Sequence, residues 1–436
     1  MLKVIAYPSK EAEERLAQIA ARRMGADPAL EKGVQEILDA VKREGDTALL
    51  RYTRRFDAPD LPDDGITVPE AEIDAACGAV DPEFLEILRT AVSNIESFHR
   101  HQLRSSFFTT SPDGTILGQM VRPVAAAGLY IPGGRGGETP LISSVLMNGI
   151  PARLAGVPDI AMTTPPRRDG SVNPYLLAAA REVGIHRIHR LGSSWAIAAL
   201  AFGTDSVRRA DVIVGPGNMY VALAKKIVSG EVGIDMLAGP SEILVVADAG
   251  ARPDYLAADL LSQAEHDSMA SAVLIATDAR LAEETVQSVE KQIRRLPRRE
   301  TANESLKRYG AVFLTESLDA ALALANRAAP EHLELQVRDP WPCLAKIEHA
   351  GAVFLGDNSP EAVGDYFAGP NHVLPTAGTA RFASALGVDN FIKKTSVIAY
   401  SRTALERDGK AIVRLAELEG LEAHAASVRV RLDPML

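Results

Sequence analysis

The 436 residues are 47% apolar and 24% charged, which suits two or three globular domains and excludes a disordered, fibrous or small cross-linked chain. Lys and Arg number 47 against 57 Asp and Glu, and the net charge of −10 argues against a nucleic-acid scaffold, whose phosphate contacts need a basic surface. Cys77 and Cys343 stand far apart in no metal spacing, the amino terminus turns polar too early for a secretory signal, and no apolar run approaches the ~18 residues of a membrane span. A reducing, cytoplasmic setting is expected, without membrane or nucleic-acid partners.

From residue 10 to about 104 the chain reads as helices. The longest candidate runs from Pro82 to His101, with Phe84, Leu85, Leu88, Ala91, Val92 and Ile95 forming one apolar stripe. After residue 120 short β-branched runs alternate with helical patterns and Gly/Pro turns, as βα units of a mostly parallel sheet do. The strand candidates are AAAGLYI, DIAMTT, RIHRL and ADVIV, then EILVVAD, SAVLIATD, GAVFLT and GAVFLG. Helices are expected near 253–266, 279–295 and 316–328, and the two α/β blocks divide near AGPSE at 238–242. From Thr376 onward two or three short helices and a strand-like SVRVRL end bury too little to fold alone, and are expected to lie against another surface such as a second subunit.

Several polar groups could carry chemistry. Gln263 and His266 fall three residues apart on the helix PDYLAADLLSQAEHD, on the face that Leu256 and Leu260 continue. They fit either ligands of a divalent cation such as zinc or a hydrogen-bonded helix end. Glu331 and His332 follow Pro330 at the start of an apolar strand, where His can act as general base and Glu can activate water, or where two polar residues merely form a turn. Asp365 and His372 flank the Gly-Pro turn of GDYFAGPNHVLPT, while Glu419 and His424 in ELEGLEAHA look like solvated helix positions. The turns IPGGRGGETP (131–140) and VGPGNMYV (214–221) could admit a nucleotide or serve only as tight βα turns; neither is a GxGxxG fingerprint. KQIRRLPRRE (291–300) reads as a solvated helix end.

Nine blocks, GLYIPGG, SSVLMNGIPARLAGV, AIAALAFGT, VGPGNMYV, IDMLAGPSEILVVAD, DLLSQAEHD, APEHLEL, GAVFLGDNSPEAVGDYFAGPNHVLPT and EGLEAHA, resemble the histidinol dehydrogenase family in order and spacing. The resemblance implies one Zn2+ per subunit, held by Gln263, His266, Asp365 and His424, the last from the partner subunit of a homodimer. It implies substrate contacts at Ser241, Glu331, His332, His372 and Glu419 besides those ligands, and NAD+ contacts at Tyr130, Trp195 and Asn218. The implied reaction takes L-histidinol through the aldehyde to L-histidine with two NAD+, His332 taking protons and Glu331 activating water. The implied organisation is two Rossmann-like α/β domains: 27–128 with 241–380 carrying most of the zinc and catalytic site, and 129–240 contacting NAD. A helical segment at 1–26 and a dimerisation arm at 381–436 complete it. The chain departs from the family where Gly192-Ser193-Ser194-Trp195-Ala196 replaces Gly-Gly-Ala-Gln-Ala, and where Arg135 to Thr139 lengthen the glycine loop. Rival readings are a paralogue oxidising another polar alcohol such as a sulfonated diol, against which the Glu419 carboxylate stands, and a zinc-binding protein without catalysis.

Overall fold

The computed structural model describes residues 2–22 and 28–433, with Arg135 by its main chain alone. The boundary expected at residue 26 lies outside the described residues. The chain forms two compact units, one of residues 1–102 with 125–391 and one of 103–124 with 392–436.

In chain order the strands are β1 Val4–Ala6, β2 Phe107–Thr110, β3 Ile116–Pro123, β4 Ala126–Tyr130, β5 Asp159–Thr164, β6 Arg187–Arg190 and β7 Val212–Val214. They continue as β8 Gly233–Ile234, β9 Glu242–Ala247, β10 Ser271–Ala276, β11 Ala311–Leu314, β12 His332–Gln336, β13 Ala352–Leu355 and β14 Ile392–Ala399. The first unit holds two all-parallel sheets. One has five strands in the order β6-β5-β4-β7-β8, the other six in the order β1-β11-β10-β9-β12-β13. All eight expected strands are present, as β4–β7, β9–β11 and β13, because continuous apolar runs are what a sheet buried on both faces requires. Val245, Leu274, Phe313 and Leu333 are fully buried in the larger sheet.

The segment 1–26, expected to be helical, holds β1, an edge strand paired to β11, ahead of its helix. Ser9 then caps the helix Lys10–Ala20, its hydroxyl accepting from the Ala12 N–H at 3.1 Å. Helices Pro28–Glu44 and Asp46–Phe56 place Leu38 and Leu49 in one buried cluster with Ala196 and Leu200. Part of the 27–128 stretch, grouped on sequence with 241–380, thus shares its core with the five-stranded sheet.

In each parallel sheet the path of the chain reverses once. It runs from β4 outward through β5 and β6, then returns to add β7 and β8 on the other side; β9–β11 and β12–β13 repeat the scheme. The reversals fall between β4 and β7 and between β9 and β12, and crevices at such points are where α/β proteins bind ligands.

The second unit is an antiparallel sheet in the order β14-β3-β2 with helices Arg402–Leu418 and Glu422–Leu432. Here the strand-like expectation for SVRVRL fails, since those residues continue the final helix. The alternating arginines are what misled: Arg429 reaches back along the helix to Glu422 at 2.9 Å, a helical rather than a cross-strand pairing. Among the described residues no helix is long and apolar enough to cross a membrane.

Candidate active site

The parallel connections decide where the polar groups meet. Helix Pro253–Ala264 leaves the carboxyl end of β9 and must return to the amino end of parallel β10, so its last turn brings Gln263, and His266 just beyond, to the amino edge of the six-stranded sheet. His332 opens β12 at that same edge, in register with Ile243 of β9 and Ala352 of β13, and Glu331 immediately precedes it. The short helix Glu361–Tyr366 carries Asp365 in its last turn. Sites of α/β proteins commonly lie at strand carboxyl ends; this one gathers at amino ends. A helix carboxyl terminus points there, and its partial negative charge suits a cation.

His332 is 3% exposed, and its Nδ1 lies 3.1 Å from the Glu242 carbonyl oxygen. A carbonyl only accepts, so Nδ1 carries the proton and Nε2 is left bare. That Nε2 is buried without a hydrogen-bond partner and lies 3.9 Å from Asp365 Oδ1. Burial drives the imidazole pKa down to about 4, keeping it neutral. Glu331 sits beside it with Oε2 accepting from the Glu242 N–H at 2.9 Å, and burial pushes this carboxyl well above the usual range. The Glu242 side chain is held by Arg22 at 2.5 Å and by the Ala377 N–H at 2.8 Å.

His266, Glu361 and Asp365 present ligand atoms all within 4.8 Å of one another. His372 Nδ1 lies 3.6 Å from Asp365 Oδ1, while its Nε2 is buried and unpartnered. Burial would raise Asp365, but its hydrogen bond with His372 and the surrounding imidazoles bring it below the usual value. Glu361 is pushed up to about 8, first by burial and then by Asp365. Gln263 is fully buried, and the amide orientation that avoids an acceptor facing acceptors has its nitrogen donating to Glu361 Oε1 at 2.6 Å and Oε2 at 3.2 Å. Bare imidazole nitrogens, an amide oxygen and several buried acids form a donor set that fits a borderline dication, because buried carboxylates call for a compensating positive charge. Sequence reasoning missed Glu361; its signal was the four-residue spacing to Asp365, one turn of the same helix.

The remaining expected residues lie at the other sheet or in the second unit, except Ser241, which stands at the amino end of β9. Tyr130 ends β4 with its hydroxyl accepting from the Ser193 N–H at 3.2 Å. Asn218 caps helix Met219–Val228, its Oδ1 accepting from Tyr220 and Val221. The turn before it needs glycine: Gly215 has φ +115, and a Cβ there would lie 2.1 Å from the Tyr130 carbonyl oxygen. Lys225 and Asp235 form a buried ion pair that clamps this turn, Lys225 on the Gly215 carbonyl at 3.0 Å and Asp235 on its N–H at 2.8 Å. Trp195 is 4% exposed between Tyr52 and Phe56, and its N–H donates to Thr53 Oγ1 at 3.1 Å, so its one donor is already used. In the lengthened loop Glu138 pairs with Arg167 at 3.3 Å. Ser241 precedes β9, and its carbonyl accepts from Ser271 at 3.0 Å. Glu419 and His424 belong to the second unit, exposed around the turn between its two helices.

A neutral buried imidazole beside a cation set can move protons, and glycine turns at the carboxyl ends of a separate parallel sheet can receive a nucleotide, a combination that suits an α/β oxidoreductase. A family model described as histidinol dehydrogenase matches residues 20–432. Histidinol dehydrogenase of Desulfotalea psychrophila is 53% identical over 424 residues, 97% of this chain and 98% of that one. The Moorella thermoacetica enzyme of the same name is 55% identical over 398 residues, 91% and 93% of the two chains. The crystal structure of histidinol dehydrogenase from Elizabethkingia anophelis, 39% identical, superposes with a TM-score of 0.92 over 100% of this chain and 98% of that one. The chain belongs to the histidinol dehydrogenase family. It is an NAD-linked oxidoreductase, and the metal use general to the family has a candidate centre here; the sulfonated-diol and non-catalytic readings gain no support.

Proposed function

We propose that this protein oxidises L-histidinol through the aldehyde to L-histidine with two NAD+, in a homodimer that holds one Zn2+ per site. The observation that carries the reading is His332: neutral, fixed by the Glu242 carbonyl, with a bare Nε2 facing Asp365 beside the ligand cluster. Gln263, His266, Asp365 and, across the dimer, His424 would hold the cation. When bound, zinc supplies an electropositive template that fixes an amino alcohol for reaction. The exposed Leu415, Leu418 and Ile398 of the second unit support its use as a dimerisation surface.

In the first oxidation His332 Nε2 takes the carbinol proton as hydride passes to the nicotinamide. Glu331, made the stronger base by its burial, accepts in its ionised form a proton from the water that adds to the aldehyde. His332, its first proton released, accepts another as the second hydride leaves. Ser241, His372 and Glu419 complete the substrate contacts, the Glu419 carboxylate suiting a cationic amine. Tyr130 and Asn218 contact the cofactor, and Trp195 walls its loop. The region 27–128 with 241–380 carries the reaction, 129–240 the cofactor and 381–436 the dimer arm.

Counting NADH formed per L-histidinol in excess NAD+ tests the reading. Two NADH with histidine as product, abolished by chelation and restored by zinc, is the expected result. One NADH, or turnover that survives metal removal, contradicts it.

A further inference from the structure

Gln263 is an uncommon kind of ligand, because an amide can present its nitrogen as easily as its oxygen and only the oxygen binds a cation. Something must fix which end faces the site. Turned so that its nitrogen rather than its oxygen faces Glu361, the Gln263 amide donates to both carboxyl oxygens, at 2.6 and 3.2 Å, and Ser262 Oγ lies 3.0 Å from Glu361 Oε2. Glu361 is anchored in turn: its N–H donates to Glu334 Oε1 at 2.9 Å, and the other oxygen of Glu334 accepts from Gln336 at 3.1 Å. Glu334 lies in the middle of β12 with no exposure, and Glu361 is 2% exposed.

We propose that Glu361 is the positioning residue of the metal centre, locking the Gln263 amide so that its oxygen faces the cation, without itself being a ligand. With the amide so turned, both Glu361 oxygens accept from it and Oε2 also from Ser262; swinging the carboxyl over to a cation would loosen these bonds and release the amide to flip. With a cation bound to hold Glu361 ionised, the carboxylate on the N–H side would also draw electron density toward the amide oxygen and make it the stronger donor, as outer-shell acids do for metal-bound imidazoles. The chain of contacts β12–Glu334–Glu361–Gln263 thereby ties ligand orientation to a central strand of the sheet. The inference rests on the proposed role of Gln263 as a ligand.

The test measures zinc affinity by chelator competition and the Co2+ absorption spectrum at saturation, in wild type, E361Q, Q263A and the double variant. Tight zinc binding by wild type, weakened in Q263A, establishes the ligand; its absence would overturn the underlying reading rather than this step. Given that, E361Q is expected to weaken zinc binding by about 10–100-fold with an unchanged Co2+ spectrum, and to have little effect in the Q263A background, because it acts through the amide. Undiminished affinity in E361Q, or losses that add in the double variant, overturns the positioning role. A Co2+ spectrum showing one ligand fewer in E361Q overturns it in favour of direct ligation. Should E361Q not fold, Ser262→Ala loosens the same carboxylate, and affinity equal to wild type there would likewise overturn the proposal.

Discussion

At the carboxyl ends of the five-stranded sheet the polar groups are Tyr130, Ser193 and Asn218, hydroxyl and amide groups set among glycine turns and helix amino termini. The amino ends of the six-stranded sheet hold His332, Glu331, His266, Glu361 and Asp365, reached by a helix carboxyl terminus. The difference is one of helix polarity. Amino termini attract the phosphates of a dinucleotide, whereas carboxyl termini with buried acids attract a cation. Two sheets of the same topology can therefore serve opposite charges by using opposite edges, and titratable chemistry stays with the cation.

Removing the metal, by chelation or by His266→Ala, should break one edge and spare the other. Oxidation should vanish while NAD+ binding persists, as activity and calorimetry on the same sample would report. Replacing His332 with Asn should lower kcat by about 10²–10⁴-fold with zinc content unchanged, since a base is lost and no ligand; loss of metal would mean that base and ligand had been confused. A statistical mixture of His332→Asn and His424→Ala subunits should recover about a quarter of wild-type activity if each site borrows His424 from its partner. Inactive mixed dimers would refute the sharing.

Acid should weaken the scaffold around both edges. His99, which meets Asn371 beside His372 at 3.2 Å, and His189 of β6 are held near pKa 4 by burial, below the ordinary 6.5. Their depressed folded values mean that the unfolded chain binds the proton first, so stability is constant above about pH 6.5 and falls from there to about pH 4, by on the order of 3 kcal/mol for each group. Denaturant midpoints across that range, compared in His189→Gln, measure the contribution. The smallest functional effect should come from Trp195→Gln: core stability falls by on the order of 3 kcal/mol, while the KM for NAD+ shifts several-fold and that for L-histidinol stays put. An unchanged KM for NAD+ would confine Trp195 to packing.

The parallel strands were legible because buried βα units write themselves as apolar runs. β2, β3 and β14 were not, since a sheet with an exposed face tolerates segments such as IKKTSVIA, whose two lysines hide the pattern. Gln263, His266, Glu331, His332, Asp365 and His372 could be picked out as chemically apt, yet nothing in their spacing says which edge of a sheet they share. That follows only once β9, β10, β12 and β13 are known to be parallel and adjacent. Glu361 was invisible for a different reason: an acid between Pro360 and Ala362 looks solvated until the fold buries it. Trp195 was expected at the cofactor by resemblance alone, and its stack with Tyr52 and Phe56 is a tertiary fact that no motif announces.

The division of labour between the two edges is tested most directly by titrating L-histidinol and NAD+ separately into zinc-loaded and metal-stripped protein. Zinc removal should weaken L-histidinol binding at least about tenfold and leave the Kd for NAD+ unchanged. L-histidinol bound equally by stripped protein, or NAD+ affinity lost in parallel with it, would contradict the account.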